Sequence, residues 1–165
     1  MDFDDAVEDD LPAITAIFNE VVATSTAIYR DDPFTPEDRA AWLAERRASG
    51  FPVLVARDAA GGVIAFGSYG TFRPTPGYRT TVEHTIMVDP AQRGSGLGTA
   101  LVEALVAHAT AAGFHIMVAS IDAENVGSIR LHERLGFTEV GRMPEVAWKF
   151  GRWLELVLLQ RRLGA

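Results

Sequence analysis

The stretch "QRGSGLGTAL", Gln92 to Leu101, places glycines at positions 94, 96 and 98 immediately before an apolar run with helical spacing. Upstream, "TTVEHTIMVD" (Thr80 to Asp89) alternates Val82, His84, Ile86 and Val88 on one face with Thr81, Glu83, Thr85 and Met87 on the other, the period of a strand. Pro90 ends it, because proline has no N–H to give to a ladder. Downstream, Leu97, Leu101, Val102, Leu105 and Ala109 share one helical face, and Gly113 closes the segment. The unit is strand, glycine loop, helix. Such a loop offers unpaired backbone N–H groups and the positive end of a helix dipole, which suits a phosphate. The spacing is GxGxG, whereas a dinucleotide fingerprint needs GxGxxG and the NTPase phosphate loop ends in Gly-Lys-Ser/Thr. Neither fits.

Outside this unit, the pattern alternates helices and strands. "LPAITAIFNEVV" carries Leu11, Ile14, Ile17, Phe18, Val21 and Val22 at amphipathic-helix spacing. A second helix starts with Thr35 as N-cap, Pro36 in the first helical position and Asp38 as the acid of a capping box, and stops at Gly50. "PVLVAR" and "VIAFGSYGTF", separated by "DAAGG", read as an antiparallel hairpin. After the glycine loop come a strand in "HIMVAS", a helix in "NVGSIRLHERLG" stopped at Gly136, and strands in "FTEVGRM" and "WLELVLLQRRL". No repeat, low-complexity tract or linker interrupts this α/β order.

Composition limits the partners. At 165 residues and 48% hydrophobic content the chain has the size of one domain, taken here as residues 1–165. A net charge of −7, with six carboxylates in the first ten residues, opposes a non-specific grip on nucleic acid or anionic lipid. There is no cysteine, no signal-peptide pattern at the N-terminus and no apolar run long enough to span a bilayer, so the cytoplasm is the expected compartment. The four histidines show no HExxH spacing, which argues against a tight catalytic metal, and no GxSxG nucleophile elbow occurs.

A second motif reinforces the loop. Asn125, Ser128, Ile129 and His132 fall at i, i+3, i+4 and i+7, one stripe of a helix, followed by Gly136-Phe137. Gln92, Arg93, Gly96 and Gly98 reproduce the Q/R-x-x-G-x-G/A loop of the GNAT superfamily of acyl-CoA-dependent N-acetyltransferases. Together with the Asn125 helix they make the chain resemble that superfamily. From Thr80 to Leu163, with "TVEHTIMV", "SIDAENVGSIRLHERLGF" and "KFGRWLELVLLQ", it resembles the phosphinothricin and methionine sulfoximine N-acetyltransferase branch. His132 departs from the tyrosine usual at its position.

The resemblance implies an α/β (α+β) fold: a single GNAT-like domain with a mixed, mostly antiparallel sheet flanked by helices. It implies acetyl-CoA as donor, with Arg93, Gly94, Ser95, Gly96, Leu97, Gly98 and Thr99 around the pyrophosphate and Ile86, Met87, Val88, Asn125 and Ser128 along the rest of the cofactor. Within it, Glu83 is the expected general base, the Val88 N–H the oxyanion donor and His132 the expected acid or hydrogen-bond donor, an imidazole titrating near neutrality. His84 points away from Glu83 in a regular strand and becomes a rival base only if a bulge re-aims it. Arg134 is placed to touch a cofactor phosphate, although a solvated helix arginine is the preferred reading. In the resembling enzymes the loop before Glu83 helps to bind an amino-acid-like substrate. Here it carries Arg73, Tyr78 and Arg79, and an arginine fork matches a carboxylate. No metal is expected. A homodimer is expected, from the resemblance and the apolar closing strand. The readings left beside this one are a protein or peptide N-acetyltransferase and a non-catalytic acyl-CoA-binding module.

Overall fold

The helix starts follow local chemistry. The computed structural model describes residues 3–164. Its elements in chain order are β1 (Asp4–Asp5), α1 (Leu11–Thr24), α2 (Pro36–Ala48), β2 (Val53–Arg57), β3 (Val63–Thr71), β4 (Thr81–Val88), α3 (Leu97–Ala111), β5 (Ile116–Asp122), α4 (Val126–Arg134), β6 (Thr138–Lys149) and β7 (Arg152–Arg162). At the start of α2 the expected capping box is present: Thr35 Oγ1 accepts from the Asp38 amide at 3.1 Å and Asp38 Oδ2 from the Thr35 amide at 2.9 Å. Two otherwise orphaned donors are thereby satisfied.

The strands form one seven-stranded sheet in the order β1-β2-β3-β4-β5-β7-β6. Every pairing is antiparallel except β4 with β5, the two strands joined through α3. A parallel pair needs a crossover, and α3 supplies it. Against one face of the sheet, α1 and α2 pack Ile14, Phe18 and Leu43 on Val55, Phe66 and Met87. On the other, α3 and α4 bury Val102, Leu105 and Ile129 among Tyr69, Val82, Met117 and Val157. Alternation along β4 therefore feeds two cores, Val82 and Ile86 into one and Met87 into the other.

Three features differ from the sequence expectation. β1 escapes a periodicity search because it has two residues; Arg57 anchors it, donating to Asp4 at 3.0 Å and through both terminal nitrogens to buried Asp10 at 2.7 and 2.9 Å. β6 continues past Met143 to Lys149, its period broken by bulges at Glu139/Gly141 and Met143/Ala147. The closing strand β7 is not a free apolar edge. It lies between β5 and β6, with Leu154, Val157 and Leu159 buried.

Candidate active site

The glycine loop turns through left-handed backbone at Gly94 (φ 79°) and Gly96 (φ 88°), and α3 begins at Leu97. The first bond into the helix runs from the Ala100 amide to Gly96 O at 3.1 Å. The amides of Leu97, Gly98 and Thr99 therefore have no intrahelical acceptor and stand at the positive end of the dipole. Gly98 has a separate reason: a Cβ there would sit 3.4 Å from Leu131 and 3.5 Å from Ile86, where helix packs on strand.

This loop forms one wall of a cleft of about 900 Å³. Of the expected cofactor residues, Ile86, Met87, Val88, Arg93, Gly94, Gly96, Leu97, Gly98, Thr99, Asn125 and Ser128 line it. Ser95 does not; its hydroxyl donates to Gln92 O at 2.6 Å and closes the turn. Asn125 both lines the cleft and caps α4, its Oδ1 accepting from the Ser128 amide at 3.1 Å. Arg134, for which a phosphate contact stood second to a solvated position, also lines the cleft. Sequence reasoning missed the opposite wall, Ser25 to Ala27 after α1 and Phe150 and Arg152 after β6. No local motif marks those residues. Arg152 is held by Glu124, with one bond at 2.7 Å, whereas Arg93 and Arg134 form no ion pair among the described residues. A polyanionic, elongated ligand such as coenzyme A fits a cleft with two unpaired guanidiniums and a ring of free amides.

The cleft opens into the sheet because β4 and β5 part. They pair only through Thr81, Val82 and Glu83, although β4 continues to Val88 and β5 to Asp122. The register of β4 with β3 is unbroken from Val82 to Val88, and the Asp89 amide donates to Ile64 O at 2.9 Å. In an antiparallel pair, hydrogen bonding to one neighbour alternates along the strand. The amides of Ile86 and Val88 consequently point away from β3, that of Ile86 toward the gap and that of Val88 toward the cleft which Val88 lines. That gap, about 110 Å³, is lined by His84 to Met87, Ala119 to Asp122 and His132, and it shares Ala27, Ile86, Met87, Asn125 and Ser128 with the cleft.

Glu83 projects from the α1/α2 side of the sheet and accepts a hydrogen bond from the Ser120 hydroxyl on β5. Directly opposite it on β3 is Gly70, and on Gly70 lies the guanidinium of Arg46 from α2: a Cβ at Gly70 would be 2.2 Å from Arg46 Nη1. Arg46 Nε is buried without a partner. Sequence reasoning missed this arginine, and the signal that marks it is a glycine inside a strand.

The unbroken β3 register means that no bulge re-aims His84, which lies on the opposite face from Glu83, against His132. His132 Nδ1 is 2.7 Å from Ser128 O. A carbonyl only accepts, so Nδ1 carries the hydrogen and Nε2 of the neutral ring is bare. His84 Nε2, 3.1 Å away, then donates to it. His84 Nδ1 is left buried with no protein partner. Phe137 closes the pair edge-on, at 5.7 Å from His84 and 5.2 Å from His132. Burial holds both imidazoles below their usual range, and for His84 the neighbouring His132 lowers it further. His132, expected as an acid or hydrogen-bond donor, has its Nδ1 engaged by Ser128 and lines the gap but not the cleft.

Nor does the structure bring Arg73, Tyr78 and Arg79 to the cleft. Arg73 and Arg79 line a separate hollow of about 210 Å³ with Thr81, Val82 and Phe114, sharing no residue with the cleft or the gap. Arg73 rests over the Phe72 ring at 4.9 Å, Arg79 donates to Pro76 O at 3.3 Å, and half-exposed Tyr78 meets Phe72 edge-on at 5.8 Å. The loop's prolines and its short helical turn set these side chains at the far end of β4. Among the described residues no three His, Asp or Glu side chains gather as a metal site, and no helix is long and apolar enough to cross a membrane.

Comparison with known proteins agrees with this geometry. The chain is 50% identical, over 159 residues covering 96% of it and 92% of the relative, to the L-methionine sulfoximine/L-methionine sulfone acetyltransferase of Pseudomonas aeruginosa. It superposes with TM-score 0.96, at 39% identity, on a GNAT phosphinothricin acetyltransferase from Sinorhizobium meliloti solved with AcCoA, covering 99% of this chain and 88% of that one. A Brucella melitensis structure described as a ribosomal-protein-alanine N-acetyltransferase matches with TM-score 0.96 and 40% identity, covering 99% of this chain and all of the other. Residues 14–137 match the model of the acetyltransferase (GNAT) family, and on the glycine loop, the parted strands and this likeness the chain belongs to that family.

Proposed function

We propose that the protein transfers the acetyl group of acetyl-CoA to the α-amino group of a small amino-acid-like substrate of the methionine sulfoximine, methionine sulfone or phosphinothricin type. The single observation that carries this is the continuity of the glycine-loop cleft with the gap between β4 and β5, beside which Glu83 stands. When bound, acetyl-CoA supplies an activated thioester carbonyl. The amides of Gly94 and of Gly96 to Thr99, with Arg93 and Arg134, hold the phosphates. The Val88 N–H, turned away from β3, donates to the acetyl oxygen, a fixed dipole placed where charge develops. Glu83, oriented by Ser120, accepts the proton of the attacking amine directly or through water. No side-chain acid is assigned to the departing thiolate.

For the substrate carboxylate three guanidiniums are available, Arg73 and Arg79 from the loop and Arg46 beside Glu83. Alanine substitution of the one that serves raises the amine KM and leaves acetyl-CoA affinity near wild type. We further propose a homodimer, formed through the β6–β7 hairpin, and place the enzyme in the cytoplasm, which supplies acetyl-CoA. What supports the dimer is a strip of exposed apolar side chains on that hairpin: Val140, Met143, Val146, Trp148, Phe150 and Trp153.

The test is release of free coenzyme A on a panel of amines. Turnover of methionine sulfoximine, methionine sulfone or phosphinothricin far above that of peptides is the expected result. Preference for a peptide N-terminus selects the protein-acetyltransferase reading, which the Brucella likeness favours. Binding of acetyl-CoA with no thiol release on any amine selects the non-catalytic module.

A further inference from the structure

Lys149, the last residue of β6, is 1% exposed, and no carboxylate among the described residues forms an ion pair with it. Its Nζ donates to three backbone carbonyls: Val22 O at 2.7 Å, Ser25 O at 2.8 Å and Ile28 O at 2.8 Å. An ammonium has three hydrogens, and all three are used. Val22 O belongs to the last turn of α1, where carbonyls lack helical partners, and the other two lie in the segment that leads to α2. Burying a lysine without an ion-pair partner is costly, so a fold that needed only stability has better solutions in an apolar side chain.

The positions on either side of these contacts explain the placement. Ser25, Thr26 and Ala27 line the cofactor cleft, and Ala27 also lines the gap between β4 and β5. Phe150 and Arg152, directly after Lys149, line the cleft from the hairpin turn. Tyr29, one residue beyond the third carbonyl, donates to Asp122 Oδ2 at 2.9 Å, so the segment is also fastened to β5 at the gap. Two pieces of the cleft wall more than 120 residues apart in sequence are thus tied through one ammonium.

We propose that Lys149 is a positioning residue which clamps the α1–α2 segment onto the β6–β7 hairpin and thereby sets the shape of the acetyl-CoA cleft. It touches neither cofactor nor substrate. Loss of the ammonium leaves the three carbonyls without their donor and lets the Ser25–Ala27 wall drift from Phe150 and Arg152. The proposal rests on the cofactor reading for its effect on affinity, and on the free protein alone for the clamp.

Lys149→Met keeps the length of the side chain and removes its donors. The expected result is at least a tenfold rise in the acetyl-CoA Kd and KM, with kcat at saturating cofactor within about threefold of wild type, and faster amide exchange confined to residues 25–35. A purely structural role instead lowers the melting temperature and loosens β6 and β7 while cofactor affinity of the folded enzyme stays within twofold; that outcome overturns the proposal. The wild type gives a second measurement, needed if Lys149→Met does not fold. The Lys149 ammonium should appear as a slowly exchanging ¹⁵N resonance that shifts when acetyl-CoA binds, and an averaged, solvent-like resonance or an unmoved one overturns the clamp. Wild-type protein that binds no acetyl-CoA sinks the cofactor reading, while the ammonium resonance and the exchange pattern of the free protein still decide the clamp.

Discussion

Glu83 and His84 are neighbours on one strand, and the pleat sends them to different chemistry. Glu83 meets a hydroxyl at a half-exposed position on the α1/α2 side, while His84 is 7% exposed and paired with His132. Glu83→Gln keeps the shape and removes the proposed base. Turnover near pH 7 should fall by about 10²- to 10⁴-fold, with the deficit shrinking at higher pH where more of the amine is already neutral. Full turnover and an unchanged pH–rate profile remove Glu83 from the mechanism. The histidine pair makes a different prediction, about stability. Both folded imidazoles resist protonation, whereas the same groups in the unfolded chain take up a proton near pH 6.5. The unfolded state therefore binds more protons below that value, and stability falls as pH falls, by up to about 1.4 kcal/mol per pH unit for each ring that stays neutral. Urea unfolding between about pH 7.5 and 5.5, above the ordinary carboxylate range, should show this loss, and His84→Gln should flatten it. A wild-type slope no steeper than that of the variant contradicts the assignment.

At the scale of elements, the glycine loop and β4 work as one unit, and their glycines are not equivalent. Gly96 needs its freedom for conformation: φ is 88°, and a Cβ there would meet nothing within 4 Å. Close approach of other atoms is the constraint at Gly98 instead. A β-branched residue at positive φ is a steric outlier, so Gly96→Val must twist the turn that aims the Leu97, Gly98 and Thr99 amides. Calorimetry should find acetyl-CoA bound at least tenfold more weakly, with the amine KM little changed once cofactor is saturating. Equal cofactor affinity in the variant argues that the loop does not hold the phosphates. The parting of β4 from β5 belongs to the same scale. Both strands continue past their last shared pair, Glu83 with Val118, without pairing further.

At the scale of the whole molecule, the β6–β7 hairpin is the part the sheet leaves uncovered. Trp148 and Trp153 are more than half exposed and pack on each other at 4.9 Å, beside Met143 and Val146. A contiguous exposed apolar surface is unusual on a monomer. Sedimentation at micromolar concentration should give twice the chain mass of 17.9 kDa, and Trp153→Glu should shift it to one chain. A wild-type monomer under those conditions refutes the dimer. Phe150 lies on the same hairpin and lines the cleft, so the proposed assembly and the proposed cofactor site share one element.

The strand–loop–helix unit, the capping box of α2, the face of β4 that carries Glu83 and most of the glycine-loop wall of the cleft are legible in the residues alone. Those are local properties: backbone dihedrals allowed by glycine and proline, and the periods of strand and helix, act within a few residues. The tertiary structure decided the rest. It laid Arg46 on Gly70, paired His84 with His132 across 48 residues, placed Lys149 under carbonyls up to 127 residues away and kept the Arg73–Arg79 loop out of the cleft. A long polar side chain has no periodic signature, and its partner is set by which elements the packed sheet brings together. Its role is therefore legible only after the chain has closed on itself.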